Sequence, residues 1–306
     1  MLRRWRKKMF EDKFKAYVQS ANEALLKYAI LPEEDYQKTV LAAMNYSLNA
    51  GGKRLRPVFM EAVYDALGGK GEVIKPFMAA IEQIHTYSLV HDDLPAMDND
   101  EYRRGKKTTH IVYGEDMAIL AGDALLNHAY ETALRAFDEE GADHVRIARA
   151  LGVLAREAGI YGMVGGQCAD VEAEDKGLVM DEERIDFIFR LKTGALIKAS
   201  MMIGAILAGA YDEEIDKIGE AACDIGIAFQ IQDDILDVVG NEAELGKPIG
   251  SDAKNNKVTY VTLKGLDEAQ RDVARYSRMA IDILKSLPYD TDFLEELSES
   301  LIGRNK

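Results

Sequence analysis

Two clusters of aspartates carry the strongest chemical signal in the chain. One reads IAFQIQDDILDVVG and holds Asp233, Asp234 and Asp237. Its neighbours Ile227, Phe229, Ile231, Ile235 and Leu236 are those of a buried helix. Ionised carboxylates in such surroundings are costly unless a partner compensates them. Asp233 and Asp237 stand at i and i+4 and so share one helical face. Acceptor-only groups on one face suit a hard divalent cation. Oxygen ligands and retained waters favour magnesium, with substrate phosphates completing its shell. The other cluster reads HTYSLVHDDLPAMDNDEYRRG and holds Asp92, Asp93, Asp98 and Asp100. Asp92 and Asp98 would lie about 240° apart on an ideal helix, so a regular helix does not align them. Pro95 disfavours an intact helix there, and a helix end near Leu94 would bring Asp98 back beside Asp92. Arg103 and Arg104 follow at once. Carboxylates beside paired arginines suggest an anion held through metal and guanidinium together.

Other basic residues fall in punctuated spots. GGKRLRP sets Lys53, Arg54 and Arg56 between a glycine pair and a proline at a helix start. Helix N-termini and glycine turns favour anions. RLKTG places Lys192 and Thr193 before a break at Gly194, and LGKPIGSDAKNNKVTY places Lys247 and Lys257 shortly after the second aspartate cluster. Together they would set several cations around a doubly or triply anionic substrate.

The elements that must position these groups are helices. The six prolines leave a gap from Pro95 to Pro248, which permits long helices. No sustained period-2 alternation and no Asn-Gly or Asp-Gly hairpin signal appears. Apolar residues recur instead at three- and four-residue steps, as in Phe77, Ile81 and Ile84, with Ser88 and Leu89 on the next turn. The pattern predicts helices over 11–28, 35–49, 57–67, 74–91, 116–137, 143–162, 182–192, 196–210, 213–239, 269–286 and 292–302. Glycine-rich breaks are expected at Gly51-Gly52, Gly68-Gly69, Gly165-Gly166 and Gly240. No long polar linker divides the chain, so one all-α domain over 1–306 is expected.

Composition narrows the function. Acidic residues number 53 and basic residues 38, a formal charge of −15. That balance argues against broad nucleic-acid or anionic-membrane binding. Two cysteines cannot build a disulfide framework, so Cys168 and Cys223 read as small buried hydrophobes in a reducing cytoplasm. The most apolar stretch, Met201–Tyr211, is shorter than the roughly 20 residues a membrane span needs. The basic start, MLRRWRKKMF, has no apolar region after it and reads as the first turn of a helix rather than a secretory signal.

With these motifs in order, the sequence resembles the trans-prenyl diphosphate synthases, and among them the short-chain bacterial farnesyl diphosphate synthases. GGKRLRP, HDDLPAMDND followed by RRG, AGDALL, GGQ, KTG, FQIQDDILD and the GK…KVTY tail carry the likeness across 51–260. The resemblance implies the isoprenoid synthase fold, a helical bundle around a deep central cavity. It implies a homodimer using about three magnesium ions per active site. Asp92 and Asp98, with Asp93 assisting, would hold magnesium against an allylic diphosphate, and Asp233, with Asp234 and Asp237 nearby, would hold another. Arg103, Lys192 and Lys257 would grip the allylic diphosphate. Lys53, Arg56, His85 and Arg104 would bind isopentenyl diphosphate. Thr193 and Gln230 would sit near the developing carbocation, and Lys247 would close over the site. In the family an aromatic residue five positions before the first aspartate limits chain growth. Tyr87 holds that place, one residue before Ser88 on the turn preceding Asp92, which implies a farnesyl (C15) product. Tyr102, Lys107, Pro248 and Val261 depart from the common pattern without removing a ligand.

Three other readings compete. A ferritin-like di-metal bundle needs two Glu-x-x-His motifs, and only Glu82 with His85 matches. A terpene cyclase of the same fold would ionise the same kind of substrate, but its second metal motif normally mixes Asn, Ser and Glu where this chain has DDILD. A non-catalytic partner subunit should have lost one cluster, and both are intact. A geranylgeranyl diphosphate synthase remains the alternative within the family.

Overall fold

The structure is a computed structural model that describes residues 2–29, 35–239 and 258–303. Lys247, Pro248 and Lys257 lie outside the described residues. The chain divides into two compact units, Met1–Glu61 with Lys70–Leu151, and Ala62–Gly69 with Gly152–Lys306.

The first unit contains α1 (Leu2–Lys27), α2 (Lys38–Leu48), the start of α3 (Leu55–Ala66), α4 (Lys75–Asp92), α5 (Thr109–Tyr113) and α6 (Glu115–Leu134). Pro76 sits in the first turn of α4, where its fixed φ suits a helix and its missing N–H costs nothing. Phe77, Met78, Ile81 and Ile84 of α4 are wholly buried. Helix α4 packs along α6, whose Ala118, Ala121, Leu125 and Ala129 are also fully buried. Small side chains on α6 facing large ones on α4 let the two axes approach while filling the space. Two short strands, β1 (Tyr102–Arg103) and β2 (Lys106–Lys107), pair antiparallel, Tyr102 opposite Lys107. They are the only strands among the described residues.

The second unit contains the end of α7 (His144–Ala158), then α8 (Met163–Asp175), α9 (Glu182–Ile188), α10 (Ala195–Ala208), α11 (Asp212–Val239), α12 (Tyr260–Lys264), α13 (Leu266–Lys285) and α14 (Asp292–Ile302). Helix α11 is its axis and packs on both α10 and α13. Ile227, Ile231 and Ile235 of α11 meet Ile185, Ile188 and Phe189, with Tyr260, Ala269 and Val273 from the later helices.

Several expectations are revised. Helix α1 begins at Leu2 rather than near residue 11. Helix α8 occupies the stretch where Gly165-Gly166 predicts a break. The expected break at Gly194 is instead a π-helical turn, Phe189–Gly194, that joins α9 to α10 without interruption. The continuous helix Glu182–Ala208 is therefore long and apolar enough to cross a bilayer, but 67% of its most apolar window is buried inside the structure. Its apolarity serves the core. Cys168 is exposed and Cys223 half-buried, both as free thiols.

Candidate active site

The first aspartate cluster closes α4. Asp92 is its last residue and Asp93 its cap. The chain then turns on Leu94, whose carbonyl accepts from the N–H groups of Met97 (2.9 Å) and Asn99 (3.1 Å). The turn returns the Asp98 N–H to the Asp92 carbonyl at 2.9 Å. This is the juxtaposition that Pro95 predicts. Asp93 points elsewhere. It is 4% exposed, and its Oδ1 accepts from Nε and Nη2 of Arg103, both at 2.6 Å. Burial raises the Asp93 pKa above the ordinary carboxylate value even against the Arg103 contact. Burial also works against the Arg103 charge, but Asp93 and then Asp100 hold its pKa above the usual value.

The short hairpin aims the arginines. Its two-residue loop, Arg104-Gly105, has positive φ at both positions (53° and 75°), as the tight hairpin turns that match strand twist require. Arg103 thereby lies toward Asp93, while Arg104 Nη1 donates to the Gly51 carbonyl. At Gly52, φ 145°, a Cβ would stand 2.7 Å from Arg104 Nη1, so a side chain there would displace the guanidinium. The glycine pair, expected as an anion cradle, is thus the seat of a guanidinium. A shallow hollow beside the hairpin is lined by Asp93, Arg103, Arg104, Lys106, Thr86 and Leu89.

His85 stands on α4 among cations. Burial first, then Arg56, Arg104, Arg103 and Arg54, push its pKa well below 6.5, so the imidazole is neutral at pH 7. Burial likewise lowers Arg56 to about 10, with Glu82 opposing and Arg104 adding to the shift. The Arg56 Nε is buried without a partner. Tyr87 is 6% exposed and stands edge-on to His91, ring centroids 5.8 Å apart. Ser88 Oγ donates to the His85 carbonyl (2.9 Å). His91 is half-buried rather than core, and its Nε2 donates to the Ile119 carbonyl (3.1 Å).

The second cluster lies in the other unit and gathers a pocket of about 170 Å³ lined by Asp233, Asp234, Gln230, Lys192, Thr193 and Asp170. Thr193 Oγ1 donates to Gln230 Oε1 at 2.8 Å. Lys192 Nζ is 2.5 Å from Asp170 Oδ2. The π turn presents Lys192 and Thr193, and such turns recur at functional sites. Two glycines make room for it. A Cβ on Gly166 of α8 would overlap the Lys192 backbone, and one on Gly226 of α11 would stand 2.6 Å from the Gly194 Cα. The three aspartates divide: Asp233 is half-buried in the pocket wall, Asp237 is 4% exposed, and Asp234 Oδ2 accepts from the Tyr260 N–H (2.8 Å) at the start of α12.

Sequence reasoning passed over Asp170 and Gly226, and it read Arg54 as one of the substrate's cations and Glu82 only as half of a metal motif. Asp170 follows the GGQ motif by three residues, and a buried carboxylate on that apolar run was its one available signal. Among the described residues no three His, Cys, Asp or Glu side chains converge as a preformed metal cage. Magnesium needs none, because it binds through one or two carboxylates plus waters and substrate phosphates. The donor set here, oxygen only and beside fixed cations, fits that habit.

Comparison with known proteins decides the family. The model of the polyprenyl synthetase family matches residues 37–287. This chain belongs to the polyprenyl synthetase family. It is 46% identical over 263 residues to the farnesyl diphosphate synthase of Geobacillus stearothermophilus, covering 86% of this chain and 88% of that one. It is equally 46% identical over 274 residues to a chloroplastic geranylgeranyl pyrophosphate synthase of Catharanthus roseus, covering 87% and 74%. A geranyltransferase of Helicobacter pylori, solved with magnesium and isoprenyl diphosphate, superposes with a TM-score of 0.81 at 30% identity, covering 95% and 96%. The fold is accordingly the all-α isoprenoid synthase fold.

Proposed function

We propose that this chain is a magnesium-dependent trans-prenyltransferase. It condenses isopentenyl diphosphate with dimethylallyl and then geranyl diphosphate, head to tail, to give farnesyl diphosphate. The observation that carries the reading is the pocket in which Asp233, Lys192 and the Thr193–Gln230 pair stand together. A carboxylate for a cation, an ammonium for a phosphate and an oriented hydroxyl are the parts that ionisation of an allylic diphosphate needs.

Breaking the allylic C–O bond separates a carbocation from a diphosphate, so the rate depends on stabilising the leaving group. The chemistry magnesium supplies when bound is positive charge against those oxygens. Asp92 and Asp98 would hold such ions from the first cluster and Asp233 from the second, with Asp234 and Asp237 beside it. Asp93 acts chiefly by orienting Arg103, which with Lys192 and Lys257 grips the allylic diphosphate. Lys53, Arg56, His85 and Arg104 receive the diphosphate of isopentenyl diphosphate, and Lys247 closes over the site. Thr193 donates its hydrogen bond to Gln230 Oε1, which leaves its oxygen lone pairs for the developing cation. The isopentenyl double bond attacks, and the departing diphosphate takes the released proton, so no protein nucleophile is needed. Apolar helices exclude the water that would trap the cation.

One reaction served by both clusters requires the chain to work as a single catalytic domain. Tyr87 supports farnesyl as the end product, since a buried ring five residues before Asp92 would block a longer tail. The equal identity to a geranylgeranyl pyrophosphate synthase keeps a C20 product as the second reading. We place the enzyme in the cytoplasm as a homodimer. Free thiols support the first. Exposed Ile111, Val112, Ile119 and Leu120 on α5 and α6 support the second. Incubation with labelled isopentenyl diphosphate, each allylic primer and magnesium tests the assignment. Chromatography of the dephosphorylated products should show farnesol, while geranylgeraniol would favour the second reading. No elongation of any primer would refute both.

A further inference from the structure

Arg54 occupies a backbone conformation that residues with a Cβ avoid, at φ 53°. It sits between the glycine turn and α3, and its carbonyl accepts the Val58 N–H at 3.1 Å. Its side chain does not reach outward as those of anion-binding arginines do. It is 9% exposed and fastened three ways. Nη1 donates to Glu82 Oε2 of α4 (2.9 Å), Nε to Asn22 Oδ1 of α1 (3.1 Å), and Nη2 to the Leu48 carbonyl of α2 (3.3 Å). Glu82 is itself 3% exposed. A strained residue persists only where its surroundings over-determine it, and such residues gather at functional sites.

What the fastening holds is the cation cluster around it. Lys53 precedes Arg54 on the turn, and Arg56 follows it in the first turn of α3. Arg104 hydrogen-bonds to Gly51 of the same turn. His85 lies one helical turn after Glu82 on α4. Three arginines so close repel one another, and Glu82 is the buried anion that bears on Arg54, Arg56 and Arg104 alike. We infer that the Arg54–Glu82 pair, completed by Asn22, is a positioning lock that sets Lys53, Arg56 and Arg104 in register for the diphosphate of isopentenyl diphosphate. It binds no substrate itself. Glu82, the lone match to a metal-binding Glu-x-x-His pattern, is thereby assigned to a guanidinium. The inference rests on the reaction proposed above.

A lysine at position 54 would keep the charge but lacks the planar fork that reaches three acceptors in three directions. Arg54→Lys should therefore behave like Arg54→Gln. Each should raise KM for isopentenyl diphosphate about tenfold or more, with KM for geranyl diphosphate within about twofold of the original. A merely structural ion pair would instead lower the melting temperature and leave both KM values alone. The double variant Arg54→Met with Glu82→Met separates the two roles, because a buried pair replaced by apolar groups need not lose stability. The lock requires that this variant melt near the original temperature while its KM for isopentenyl diphosphate, and its Kd by calorimetry, stay raised. A folded double variant with both values within about twofold of the original would overturn it. If the unaltered chain incorporates no isopentenyl diphosphate at all, the proposed reaction falls, and the lock with it.

Discussion

At the residue scale, charge and burial assign different tasks to neighbouring carboxylates. Asp92 and Asp98 meet through the backbone of a tight turn, whereas Asp93, between them in sequence, is turned to Arg103. Pro95 made the first part legible in the sequence. The second was not, because nothing in the run of letters says which of two adjacent aspartates faces the arginine. Asp224 on α11 is a different case, a carboxylate outside the proposed site with a buried, unpartnered Oδ2. Burial, against the pull of Arg190, raises its pKa from 3.8 to about 6. Between those values the unfolded chain has released this proton and the folded chain keeps it, so stability falls as pH rises through the window. The penalty is complete above pH 6 and amounts to about 3 kcal/mol. Asp224→Asn should therefore raise the melting temperature at pH 7, and the gain should fade as pH falls toward 4. A pH-independent difference in a melting series would contradict this. Tyr87→Ala should lengthen the product beyond C15, read by chromatography of the alcohols. A clean stop at C15 would make Tyr87 ordinary core.

Glycines mislead at the element scale. Gly165-Gly166 and Gly194 predict breaks, but the chain stays helical through both. Their lack of a side chain serves backbone-to-backbone contact between α8, the π turn and α11. Helix existence over 35–49, 57–67, 74–91 and 292–302 was readable from apolar spacing, which the helix over 74–91 carries even though it is buried nearly all round. Helix α8 was not, because a close-packed helix rich in glycine looks like a loop by composition. The π turn also had no signal, since the glycines that accommodate it, Gly166 and Gly226, lie on other helices. Gly226→Ala tests the role of this contact. A methyl 2.6 Å from the Gly194 Cα forces the π turn to shift. The overpacking should cost about 1–3 kcal/mol in urea unfolding and lower kcat by moving Lys192 and Thr193. Unchanged kcat in a folded variant would show that the turn tolerates displacement.

At the scale of the whole molecule, the all-α fold and the family were legible because several independent motifs stand in the family's order. Assembly was less so, since the apolar surface of α5 and α6 appears only once the helices are folded and their outer faces known. If Ile119 and Leu120 lie in a dimer contact, Ile119→Lys with Leu120→Lys should halve the mass seen by sedimentation. An unchanged mass would place the contact elsewhere. The central claim is that both aspartate clusters act on one allylic diphosphate. Single-turnover transfer from labelled geranyl diphosphate to isopentenyl diphosphate, with magnesium in excess, tests it on the original chain, Asp92→Ala and Asp233→Ala. The account predicts that each variant, still folded by circular dichroism, slows the chemical step by about 100-fold or more. Undiminished turnover in either would contradict it.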